Sequence, residues 1–198
     1  MDEFDEEREY ALLSDIAYLA PEKRNEEAMK YGYTVKSQDA DRVYFTAENK
    51  PPVIAFRGTD LKKKSTMWRD IYTDTAVLFG KFEKTPRAIA NEAFVQKTLA
   101  GGDKDVRLTG HSLGGISATV IGKEYGLKTT VYNPAFGLPE VAKAFKERVL
   151  ENRRISNLTI YTVEKDPISM GAMFSLTGKV YKKKPKAGVS AHSIKQFI

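Results

Sequence analysis

The sequence predicts an α/β protein in which helices cover both faces of a mostly parallel central sheet. Three observations carry that expectation. Between residues 106 and 163, short apolar runs alternate with helix-length segments, and such alternation requires right-handed crossovers that return each strand parallel to the last. The chain has 198 residues, the size of one domain and too short for two ordinary ones. Hydrophobic residues make up 41% and charged residues 29%, and the 14 glycines and 8 prolines are spread along the chain. A single compact domain over 1–198 with one buried core follows, and collagen-like, low-complexity or disordered readings are excluded.

Residues 10–19 space Leu12, Leu13, Ile16, Ala17 and Leu19 at helical intervals before Pro21, which predicts a short amphipathic helix. Residues 42–46 (RVYFT) and 53–56 (VIAF) have strand composition and flank the turn-like Glu48-Asn49-Lys50-Pro51-Pro52, so they predict a hairpin leading into the core. Residues 60–84 are irregular, with Met67, Trp68, Leu78, Phe79 and Phe82 set among charges. They read as a lid-like loop region. Pro86 suits a first helical position, so a helix over 86–99 ends before Gly101-Gly102. The regular part follows as strand 106–109, helix 113–125, strand 130–132, helix 140–151 and strand 158–163. An edge strand over 179–182 and a last turn over 192–197 close the chain.

No apolar run approaches the roughly 18 to 20 residues of a membrane-spanning helix. The first residues, Met1-Asp2-Glu3-Phe4-Asp5-Glu6-Glu7, lack the basic start and apolar stretch of a signal peptide. A soluble, cytoplasmic protein is expected. There are no cysteines, so disulfides and thiol catalysis drop out. The net charge is +6. Its lysine clusters, Lys62-Lys63-Lys64 and Lys182-Lys183-Lys184, lack an interleaved aromatic motif or a helix-turn-helix pattern, so they read as solvated loops and nucleic acid is not an expected partner.

The chemistry is carried by Gly110-His111-Ser112-Leu113-Gly114, a G-x-S-x-G placed between a predicted strand and a predicted helix. Such a sharp turn strains the backbone of the serine, and residues without a β-carbon let the neighbouring chain approach it. Ser112 would stand at the apex as a nucleophile; the alternative is a capping serine at a glycine-rich helix start. A nucleophilic serine needs a base, and histidine titrates near neutrality. The chain has two histidines. His111 adjoins the serine and points away from it under the turn, which leaves His192.

An acid must orient that imidazole, in the chain order Ser, Asp or Glu, His. Of the six acids between residues 112 and 192, Glu124, Glu140, Glu147 and Glu151 fall on helical segments. Glu164 and Asp166 remain. Asp166, in a Pro-stiffened turn just beyond strand 158–163, is favoured over Glu164 because its shorter side chain is better preorganised. An oxyanion hole needs two donors. Leu113 N–H supplies one, and Thr59, in Phe56-Arg57-Gly58-Thr59-Asp60, offers a backbone N–H and a hydroxyl as the other.

Taken together, Phe56-Arg57-Gly58-Thr59, Trp68 with Asp70, Thr109-Gly110-His111-Ser112-Leu113-Gly114-Gly115, Asp166-Pro167 and the late His192 resemble the class 3 lipase family of α/β-hydrolases. The resemblance spans about residues 10–198. It implies the α/β-hydrolase fold, a Ser112, Asp166, His192 triad, an oxyanion hole of Thr59 and Leu113, and ester hydrolysis with no metal or cofactor. A lipid or small ester is then the expected substrate, cleaved by a lipase, phospholipase A1 or esterase. The competing expectation is a non-catalytic binding or scaffold protein that keeps the fold. The basic residues of 60–84 leave two readings open, the solvated side chains of an ordinary charged loop or peripheral contact with an anionic membrane surface.

Overall fold

The computed structural model describes residues 3–58, 85–103, 105–135, 156–169 and 178–198. Among these residues seven strands form one sheet whose spatial order is the sequence order: β1 (Thr34–Gln38), β2 (Arg42–Thr46), β3 (Val53–Phe56), β4 (Arg107–His111), β5 (Thr129–Tyr132), β6 (Leu158–Val163) and β7 (Lys179–Lys183). The pairs β1/β2 and β2/β3 are antiparallel, and every later pair from β3 to β7 is parallel. The expected hairpin at 42–56 is present. So is the expected parallel body, and each strand from β3 onward ends at the same edge of the sheet.

Side chains alternate across a strand, and here that alternation sorts the core into two layers. Val43, Phe45, Val53, Ala55, Tyr132, Tyr161 and Val163 face one way, where Tyr10, Leu13 and Ile16 of helix α1 (Glu3–Ile16) cover them. Tyr44, Ile54, Phe56, Leu108, Val131, Leu158 and Ile160 face the other way, under Val95 of α3 (Pro86–Ala100) and Ala118 and Ile121 of α4 (Leu113–Tyr125). Each fully buried aliphatic or aromatic side chain contributes roughly 1.5 to 3 kcal/mol. Helices therefore lie on both faces, as the alternation requires.

Local signals set the helix ends. Thr85 caps α3 by accepting from Ala88 N–H at 3.2 Å, with Pro86 at the first helical position. Gly126, at φ 66°, stops α4 in the left-handed conformation that glycine adopts without strain.

Three features depart from the expectation. Helix α1 begins at Glu3, about two turns before residue 10. A second helix, α2 (Pro21–Met29), and the edge strand β1 occupy residues for which no element was expected. Residues 182 and 183 belong to β7, and Lys183 pairs with the buried Glu7 of α1, so this lysine is a structural contact and not part of a solvated loop. The expected helix 140–151 and the lid-like region 60–84, with Lys62, Lys63 and Lys64, lie outside the described residues. No helix among the described residues is long and apolar enough to cross a membrane.

Candidate active site

Ser112 follows β4 immediately and is the N-cap residue of α4. Its backbone has φ 57° and ψ −125°, and its hydroxyl does not cap the helix. A non-glycine residue in this region costs on the order of 1 to 3 kcal/mol, so the surroundings must hold it there. They do: Ser112 N–H donates to Tyr132 O at 3.2 Å, and its carbonyl accepts from Gly115 N–H at 3.0 Å and Ala135 N–H at 3.3 Å. The flanking glycines are sterically required. A β-carbon on Gly110 would run into the backbone of Gly114, and one on Gly114 into the carbonyl of Phe56. The capping-serine alternative does not fit this geometry.

Leu113 is the first residue of α4, so its N–H lies at the positive end of the helix. Gly58 brings the chain after β3 against the elbow, since a β-carbon there would sit 3.3 Å from Ser112 Cβ. Thr59 itself lies outside the described residues.

Asp166 and His192 come together although 26 residues separate them: His192 Nδ1 and Asp166 Oδ2 are 2.8 Å apart, and both residues are buried. Asp166 is delivered by a tight turn after β6, with Asp166 N–H on Val163 O and Lys165 at φ 64°. Its two oxygens also accept from Ile168 N–H at 3.1 Å and Ser169 N–H at 3.3 Å. Burial pushes the carboxyl pKa up, but the hydrogen bond and charge of His192, with the donors at Ser169 and Ile168, outweigh it and hold the pKa below its ordinary value. An ionised carboxylate only accepts, so Nδ1 carries the proton that His192 shares with Asp166. Glu164, the other carboxylate left open by the sequence, is half-buried, and its N–H extends the sheet ladder to Lys183 O at 2.8 Å.

His111 is buried under the elbow, as its place beside the serine suggests. Its Nε2 lies 2.6 Å from His192 O and its Nδ1 2.9 Å from Tyr18 Oη. A carbonyl only accepts, so Nε2 carries the proton and Nδ1 accepts from Tyr18. Burial, reinforced by the neighbouring His192, pulls the His111 pKa down to about 3, so the ring is neutral. Two polar residues that the sequence reading passed over also belong to this region. Asn133, fully buried at φ 40°, follows β5, and its Oδ1 accepts from Val163 N–H at 2.9 Å. Ser169 Oγ lies 2.9 Å from Thr162 Oγ1. The available signal for Asn133 was an Asn-Pro step closing a strand, where asparagine tolerates a positive φ. Among the described residues no group of three His, Asp or Glu side chains is placed to hold a metal ion.

A family described as Uncharacterised protein family (UPF0227) matches residues 68–173, more than half of the sequence. The chain belongs to that family. The matched region contains Ser112, Leu113 and Asp166 and ends before His192. No curated protein matches the sequence. Solved structures share its fold. A mutant form of MDLA from Penicillium cyclopium superimposes with a TM-score of 0.58 at 18% identity, over 95% of this chain and 83% of that one. A fungal lipase superimposes with a TM-score of 0.54 at 17% identity, over 98% of this chain and 82% of its own. The fold is thus the lipase-type α/β-hydrolase fold, as the sequence predicts.

Proposed function

We propose that this protein is a serine hydrolase that cleaves carboxylic esters of lipids, as a triacylglycerol lipase, phospholipase A1 or esterase of the class 3 lipase type. The observation that carries the reading is the strained Ser112 elbow on the same sheet edge as the buried His192–Asp166 pair, 2.8 Å apart. In this reading Ser112 Oγ attacks the ester carbonyl while His192 Nε2 takes its proton, and Asp166 stabilises the imidazolium that forms. The oxyanion of the tetrahedral intermediate is met by Leu113 N–H and by Thr59. His192 then returns the proton to the leaving alkoxide, and water, activated by the same base, releases the acid from the Ser112 ester. No step calls on a metal or cofactor.

A fluorophosphonate probe tests this directly, because it reacts with an activated serine and not with a scaffold that merely keeps the fold. Labelling of the wild type that is lost in Ser112→Ala is the expected result. Absence of labelling, together with no turnover of p-nitrophenyl esters, triacylglycerols or phospholipids, would leave a binding protein on a hydrolase fold.

A further inference from the structure

His192 sits in the loop after β7, and a loop residue must be fixed to a fraction of an ångström if its imidazole is to work against a serine on another strand. Four successive carbonyls of that loop are each held by a buried side chain. Gln196 Nε2 donates to Val189 O at 2.9 Å and Ser190 O at 3.1 Å. Asn133 Nδ2 donates to Ala191 O at 2.9 Å, and His111 Nε2 donates to His192 O at 2.6 Å. These grips differ in where they are rooted. Gln196 belongs to the same C-terminal segment as the loop, so it shapes the loop without placing it on the sheet. His111 ends β4 and is bonded to Ser112, and Asn133 directly follows β5 and also accepts from Val163 N–H in the strand that leads to Asp166.

We infer that Asn133 and His111 are positioning residues: from β5 and β4 they pin the carbonyls of Ala191 and His192, and so register the imidazole against both Ser112 and Asp166. Tyr18 completes the device from beside α1 by donating to His111 Nδ1, which keeps the donor at Nε2. The side chain next to the nucleophile in G-x-S-x-G thereby has a task in this chain, to reference the base to the nucleophile's own strand. This assignment rests on the hydrolase reading for its kinetic consequence, while its geometric content stands apart from turnover.

Asn133→Asp tolerates the positive φ and keeps the acceptor for Val163 N–H but loses the donor to Ala191 O. His111→Leu loses the donor to His192 O, and His111→Gln puts an amide N–H near its place. With a p-nitrophenyl ester, Asn133→Asp and His111→Leu should each lower kcat about 10- to 100-fold with KM changed less than about threefold, and His111→Gln should recover most of the loss. The low-field proton NMR resonance of His192 Nδ1–H should shift or broaden in the first two variants and return in His111→Gln. Should Asn133→Asp not fold, Asn133→Gly keeps the φ and takes its place. Losses that merely follow the folded fraction measured by circular dichroism, with the resonance unmoved, would overturn the inference. A wild type without turnover or fluorophosphonate labelling would sink the hydrolase reading instead, and the resonance alone would then decide the clamp.

Discussion

At the scale of single residues, the candidate site combines one strained serine with a buried carboxylate and the imidazole bonded to it. Ser112→Ala and His192→Ala should each lower kcat by on the order of 10⁵ to 10⁶, with the double variant little worse, because they act as a unit. Asp166→Asn should cost on the order of 10⁴ by upsetting the Nδ1–H tautomer, whereas Glu164→Gln should be mild. Steady-state kinetics on one ester ranks all of these, and the reverse order of the two acids would move the role to Glu164. The backbone of Ser112 makes a separate forecast. Glycine adopts φ 57° and ψ −125° without strain, so Ser112→Gly should be more stable than Ser112→Ala by about 1 kcal/mol in urea unfolding. His111 links the site to pH. Its folded pKa, about 3, lies below the ordinary 6.5, so the unfolded chain binds a proton that the native state refuses. Stability from this group is therefore full above pH 6.5 and falls as pH drops towards 3, by up to about 1.4 kcal/mol per pH unit. Urea midpoints between pH 4 and 7 should show this slope in the wild type and a flatter one in His111→Gln.

At the scale of elements, β4, the elbow and α4 form the unit that the sequence announces most plainly. Its glycines are legible because a turn this sharp leaves no room for a β-carbon, and the strand and helix on either side have their own periodicities. Gly114→Ala, which would drive a methyl into Phe56 O, should destabilise by at least about 1 to 3 kcal/mol and abolish fluorophosphonate labelling. The turn after β6 was readable to a lesser degree: Asp-Pro marks a bend, but two carboxylates stood close together. The Pro-stiffened turn already favoured Asp166, and in the geometry Asp166 meets His192 while the Glu164 backbone continues the ladder.

At the scale of the whole molecule, Arg24 is a joint that no local pattern discloses. Its fully buried guanidinium donates to Leu19 O at 2.9 Å, Ala17 O at 3.0 Å, Asp39 O at 2.7 Å and Gln38 Oε1 at 3.2 Å, so it ties the end of α1 and the residues after it to α2 and the end of β1. Arg24→Met would strand these acceptors in the interior, and urea unfolding should show a loss of about 3 kcal/mol or more. The segment it organises is the part of the fold that the sequence left unread. Helix α2 (PEKRNEEAM) has few apolar residues and β1 (TVKSQ) is almost wholly exposed, so neither shows the apolar periodicity by which elements are recognised.

By itself the sequence determined the α/β class, the hairpin, the parallel body and the types and order of the candidate residues. These depend on local periodicity, turn chemistry and a motif whose glycines answer a local steric demand. The tertiary structure brought Asp166, which the sequence favoured, to His192, and it alone decided that Asn133 and His111 grip the His192 loop and that Lys183 pairs with Glu7. Those contacts join residues from 26 to 176 positions apart. Nothing in the local physics of either partner specifies the other, and they exist because the sheet's parallel order brings strand ends to a common edge.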